Sequence, residues 1–169
     1  MKHLSILELR NLVLDSGLGN QENVIGMTGD EISQLEATIG KQLPAVYREF
    51  LKYMGKSAGR LPADIITYPD LLKHMDLPLM LADDSGFDVP SNAVVFLIGD
   101  TEFAYFETGV SDDPPVFMYR QRNGNAEKVI DSLSGWMNDF FQIECELHIQ
   151  NSGSPKAIKL DDPAQRHYS

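Results

Sequence analysis

Residues 35–55, LEATIGKQLPAVYREFLKYMG, decide the reading of the fold. They are good helix formers interrupted twice, at Gly40 and at Leu43-Pro44. Just upstream, Thr28 and Glu31 stand at capping-box spacing, where a hydroxyl accepts from a free backbone N–H and the glutamate reaches back. Ile32, Leu35 and Ile39 then make one apolar stripe at helical spacing. Gly40 suits the left-handed residue that closes a helix. Pro44 suits the first turn of the next helix, where its missing N–H costs nothing. Tyr47, Phe50, Leu51 and Met54 form a second stripe, and Gly55 ends it. The breakers therefore punctuate two short helices, and so short a linker forces a tight helical corner.

On the N-terminal side, residues 4–15 read as an amphipathic helix and residues 16–29, SGLGNQENVIGMTG, as a glycine-rich loop. On the C-terminal side a short strand is expected near Ile65–Thr67, then a helix from Pro69 that Pro78 bends or ends. From Ala93 the period changes. AVVFLI is a continuous run for a buried strand. In EFAYFET, Phe103, Tyr105 and Glu107 face one way and Ala104, Phe106 and Thr108 the other. PVFMYRQR is a third strand, Asn123-Gly124 a hairpin turn and AEKVI a fourth strand, so the order predicts an antiparallel meander. Residues 131–149, DSLSGWMNDFFQIECELHI, close the domain as a helix with Leu133, Trp136, Met137, Phe140, Phe141 and Leu147 inward. The fold class is α+β: a mainly antiparallel sheet of about four or more strands packed against helices. Residues 1–150 form the domain, and 151–169, polar and without periodicity, a mobile tail.

A chain of 169 residues with 43% hydrophobic residues suits one domain with a real core. The single cysteine, Cys145, allows no internal disulfide and fits a reducing compartment. It reads as a small buried apolar residue rather than a nucleophile. Glu8, Arg10 and Asn11 interrupt any signal-peptide core, and no apolar run approaches the ~20 residues of a membrane span. A soluble, cytoplasmic protein is expected.

The net charge is −11, and the acids are segregated. Between Lys73 and Arg120 there is no Lys or Arg, but there are nine acids: Asp76, Asp83, Asp84, Asp88, Asp100, Glu102, Glu107, Asp112 and Asp113. Such a field repels nucleic acid and anionic membrane and draws in basic proteins. If Ala104 and Phe106 face the core, Tyr105 and Glu107 face outward, and rings mixed with acids are good protein-binding chemistry. The candidate partner-binding residues are therefore Asp100, Glu102, Glu107, Asp112 and Asp113, with Tyr105 and Tyr119 as anchors.

Catalytic and metal chemistry find little support. His3, His74, His148 and His167 have no metal-helix spacing and no cysteine partner. Asp83-Asp84, Asp112-Asp113 and Asp161-Asp162 precede Ser-Gly or Pro, which is turn chemistry without the alternating oxygens of a calcium loop. Ser85 and Ser134 lie outside Gly-x-Ser-x-Gly, and neither a Walker loop nor a Rossmann glycine pattern occurs. No enzyme, metal or cofactor is expected.

The helical corner, the meander and the closing helix together resemble the SUKH superfamily, whose founding member is the fungal cell-wall assembly regulator linked to killer-toxin resistance. The resemblance stands on Leu35-Glu36, Gly40, Leu43-Pro44, Tyr47 and Phe50-Leu51. FAYFETG, DDPPVFMYR and Phe140-Phe141 add to it, over residues 28–147. The Asn-Gly-Gly expected after the second helix is replaced by MGKSAG at 54–59, so that turn need not follow the family's. The resemblance implies a single SUKH-like domain without an active site. Bacterial members look like immunity proteins that neutralise a toxin's C-terminal domain, often a nuclease, by direct binding in the cytoplasm. Fungal members look like regulatory scaffolds, which is the alternative reading.

Overall fold

The computed structural model describes residues 1–61 and 76–153. The strand expected near Ile65–Thr67, the expected helix start at Pro69 and most of the expected tail lie outside them. The elements run α1 (Ile6–Asp15), β1 (Val24–Ile25), α2 (Gly29–Ile39), α3 (Ala45–Met54), β2 (Ser57–Ala58), α4 (Asp76–Asp83), β3 (Ala93–Ile98), β4 (Glu102–Glu107), β5 (Val116–Arg120), β6 (Asn125–Ile130) and α5 (Leu133–Ser152). The fold is α+β.

The corner forms for the expected reasons. Thr28 and Glu31 close a capping box at the start of α2, and Gly40 ends that helix at φ 67°. Pro44 sits at the N-cap of α3, one residue before the helical turn the sequence suggested, and still needs no N–H there. Tyr47, Phe50, Leu51 and Met54 are all buried on one face of α3. The glycine-rich loop and MGKSAG each contribute one short strand, β1 and β2, which pair antiparallel through Val24–Ala58 and Ile25–Ser57.

The larger sheet is the expected meander, in order β3-β4-β5-β6 and antiparallel throughout. Val94, Phe96, Ala104, Phe106 and Val116 join the main core with residues of α1, α2, α3 and α5. A bulge between Val95 and Leu97 shifts the register of β3 against β4. The opposite face carries Phe103, Tyr105 and Tyr119, and α4 with the loop after it covers that face through Leu81, Ala82, Phe87 and Val89. The sheet is therefore covered on both faces, by a thick helical layer on one and by a thin one on the other.

Two readings need correction. Pro78 does not end its helix: α4 continues past it to Asp83. Leu147 is 46% exposed rather than inward. α5 also runs two residues past the expected domain end at 150, to Ser152, and stops at Gly153 with φ 61°.

Candidate partner-binding surface

The α2–α3 corner is braced within itself and tied to β3 and to the loop after β4 by polar contacts. Glu36 Oε1 accepts from the Leu43 backbone N–H at 2.8 Å and from Arg48 at 3.2 Å. The acid of the family-like pattern is thus a staple across the corner. Lys41 Nζ donates to the Ala93 carbonyl at 2.8 Å. The Val46 N–H, which the first turn of α3 leaves without a helical partner, donates to the Asp112 carbonyl at 3.1 Å. These bonds seat the corner over one end of the sheet, where β3 starts and β4 ends.

Clefts open on both sides of that corner, and Leu43 lines both. The first has a volume of ≈ 270 Å³ and is walled by Leu35, Ile39 and Tyr47, by Leu79 of α4 and by Val95 of β3, with Lys41 as the one charged residue among the described residues that line it. Its size approaches the lower end of small-ligand pockets, about 300 Å³, and its lining suits an apolar side chain. Leu79 at its rim is 59% exposed and the neighbouring Met80 65%. The second is a more open groove between Gln42–Pro44 and Gly109–Asp112. Val110 in it is 58% exposed, and the Asp112 side chain is exposed beside it.

The acidic candidates named from the sequence form two groups, one at each end of β4. Asp100 and Glu102 stand at the β3–β4 turn; Glu107, Asp112 and Asp113 stand at the other end of β4, beside the corner. A strand of this length separates its ends by about 17–20 Å. Glu102 pairs with Arg120 at 3.3 Å, and Arg120 also pairs with Glu127. Glu107 accepts from Asn92 Nδ2 at 3.3 Å. Asp113 accepts from the backbone N–H and the hydroxyl of Ser134, so it caps the first turn of α5. Asp100 and Asp112 remain as exposed acids.

Tyr105 and Tyr119 point where the alternation placed them, but that face is not solvent. Tyr105 is 3% exposed and Tyr119 fully buried. Tyr105 stacks on Phe117 at 5.3 Å between centroids, and burial together with the Glu107 charge raises its hydroxyl pKa. Tyr119 stacks on Phe103 at 4.9 Å. Its hydroxyl donates to the Leu81 carbonyl at 2.8 Å and lies 2.7 Å from Ser85 Oγ. These rings hold α4 to the sheet and are not surface anchors. Tyr119→Phe should therefore cost about 1–3 kcal/mol in urea unfolding, because it strips the Leu81 carbonyl of its donor. Asp112→Asn, at the surface, should stay within about 0.5 kcal/mol.

The sequence reading missed Lys41, Leu79, Met80 and Val110. One signal was present for α4: Leu79, Met80 and Leu81 are consecutive, and a helix with one buried face cannot bury three residues in succession. Among the described residues no group of His, Cys, Asp and Glu converges with a metal site's composition. No described helix is long and apolar enough to cross a membrane.

Residues 26–139 match the model of the SMI1 / KNR4 family (SUKH-1). No curated protein matches the chain. The matched stretch spans more than half of the chain, from Gly26 through the corner and the meander into the first part of α5. The chain belongs to the SMI1 / KNR4 family (SUKH-1).

Proposed function

We propose that this chain is a non-catalytic protein-binding domain, an immunity protein that neutralises a basic bacterial toxin domain by covering it. The observation that carries the reading is the apolar cleft beside the family's own helical corner, with Leu79 and Met80 exposed at and beside its rim. An apolar anchor set in an acidic protein fits a basic partner: the cleft supplies buried area, and the charge of −11 supplies attraction. A toxin built to hold phosphate, as a nuclease is, presents the cationic surface that such a protein would occupy. The contact centre moves from the acidic strand residues to the corner, with Asp112 and Val110 on its far flank.

The test is co-expression with a toxin domain encoded beside this gene. Wild type should restore growth. A Leu79→Glu/Met80→Glu variant should weaken binding by about tenfold or more and fail to protect. Both residues are exposed, so its melting temperature should match wild type. Asp112→Lys should slow association and flatten its salt dependence. Full protection by the folded double variant would overturn the cleft as the binding site.

A further inference from the structure

α5 carries apolar residues on more than its buried side. Its buried side carries two amides, Asn138 and Gln142, among Leu133, Met137, Phe141 and Cys145. The amides are satisfied by the chain start: Asn138 exchanges hydrogen bonds with the Leu4 backbone at 2.6 and 2.9 Å, and Gln142 Nε2 donates to the Lys2 carbonyl at 3.0 Å. A neighbouring side carries Trp136 and Phe140, which pack on the main core, and then Ile143 and Leu147. At about 100° per residue these four fall within an arc of about 60°. Their spacing of four, three and four residues is that of a helix-packing seam.

Among the described residues, the first half of the seam packs on the core and the second half is uncovered. Trp136 and Phe140 stack at 5.0 Å and are half-buried against the main core. Ile143 is 45% exposed and Leu147 46%. By the same helical geometry Asp139 and Glu146 flank one side of the seam and Glu144 the other. No Lys or Arg occurs between Lys128 and Lys156.

We infer that this face of α5 docks an amphipathic helix of a partner protein whose apolar seam is flanked by Lys or Arg. Charge selects this occupant. A second copy of the chain would bring acid flanks against acid flanks on a protein of charge −11. An anionic membrane surface meets the same repulsion. A basic-flanked helix fills the seam and neutralises Asp139, Glu144 and Glu146. The inference uses residues outside the corner clefts and does not depend on the toxin reading.

Trp136 is the only tryptophan of the chain, so its fluorescence reports on the seam directly. The probes are two synthetic helical peptides free of Trp and Tyr, with Leu at heptad positions a and d. One has Lys at e and g, the other Glu. The Lys peptide should shift Trp136 emission to the blue with saturation, and rising salt should weaken it. The Glu peptide should give no saturable change. Ile143→Glu/Leu147→Glu should keep the wild-type melting temperature and lose about tenfold or more in affinity for the Lys peptide. Glu144→Lys/Glu146→Lys should lose the preference for Lys over Glu flanks. No saturable shift with the Lys peptide, equal binding of both peptides, or undiminished binding by the folded Ile143/Leu147 variant would each overturn the inference. So would a wild-type dimer in sedimentation that this variant abolishes.

Discussion

Gly26→Ala is expected to leave little folded protein. A Cβ at Gly26 would sit 1.8 Å from the Lys52 carbonyl oxygen, 2.6 Å from its carbon and 3.1 Å from Tyr53 Cα. All three are backbone atoms of α3, so no side chain can rotate away. The segment cannot retreat either. On one side the Met27 N–H donates to the Leu51 carbonyl at 2.9 Å, and on the other the Lys56 N–H donates to the Ile25 carbonyl at 2.9 Å. Ordinary overpacking costs about 1–3 kcal/mol. A methyl group driven into a tethered backbone should cost on the order of 4 kcal/mol or more, a large share of a typical domain's stability. Gly29→Ala is the matched control three residues away. Nothing lies within 4 Å of its added Cβ at the start of α2, so it should gain roughly 0.4–1 kcal/mol. Circular dichroism melts of both variants decide the matter. A Gly26→Ala protein that melts within a few degrees of wild type would show that α3 does not press on this loop.

Leu51→Ala should lower stability by about 2–5 kcal/mol. Leu51 is 0% exposed in the main core, and its carbonyl holds both Met27 and the helix-ending Gly55. Those backbone bonds keep the main chain in place when the side chain is cut, so the site cannot collapse to fill the void and the cost should fall in the upper part of that range. In urea the midpoint should fall while the slope stays the same, because the fold remains and only its packing is lost. A loss under about 1 kcal/mol would mean that α3 is not packed as described.

The elements with strong periods were legible without coordinates. The four meander strands, the hairpin at Asn123-Gly124 and the two helices around Gly40 and Pro44 stand where their patterns placed them. Local chemistry suffices there: an alternating run has only one way to present an apolar face, and a left-handed glycine ends a helix wherever it lies. β1 and β2 were not legible, because two-residue strands carry no period and exist only through each other.

The surface was harder to read than the elements. Alternation put Tyr105 and Tyr119 on the face opposite Ala104 and Phe106, as found, but it cannot say what lies above that face. α4 lies there, arriving from elsewhere in the chain, and it makes those rings core. Charge counting grouped Asp100, Glu102, Glu107, Asp112 and Asp113 because they are near in sequence. An antiparallel strand separates such neighbours to opposite ends of a sheet, and Arg120 and Ser134 take up two of them. On α5, Trp136 and Phe140 pack against the main core as expected, but Leu147, in line with them at helical spacing, is exposed. Asn138 and Gln142 share the inner side with Met137 and Phe141, since the backbone at Lys2 and Leu4 supplies the hydrogen bonds that make buried amides tolerable. The sequence by itself determined the longer helices and the meander strands, their order and the corner that marks the family, because these depend on contacts within a few residues. Only the tertiary structure decided which apolar faces are covered and which stay exposed, because burial depends on what the rest of the chain places opposite each face.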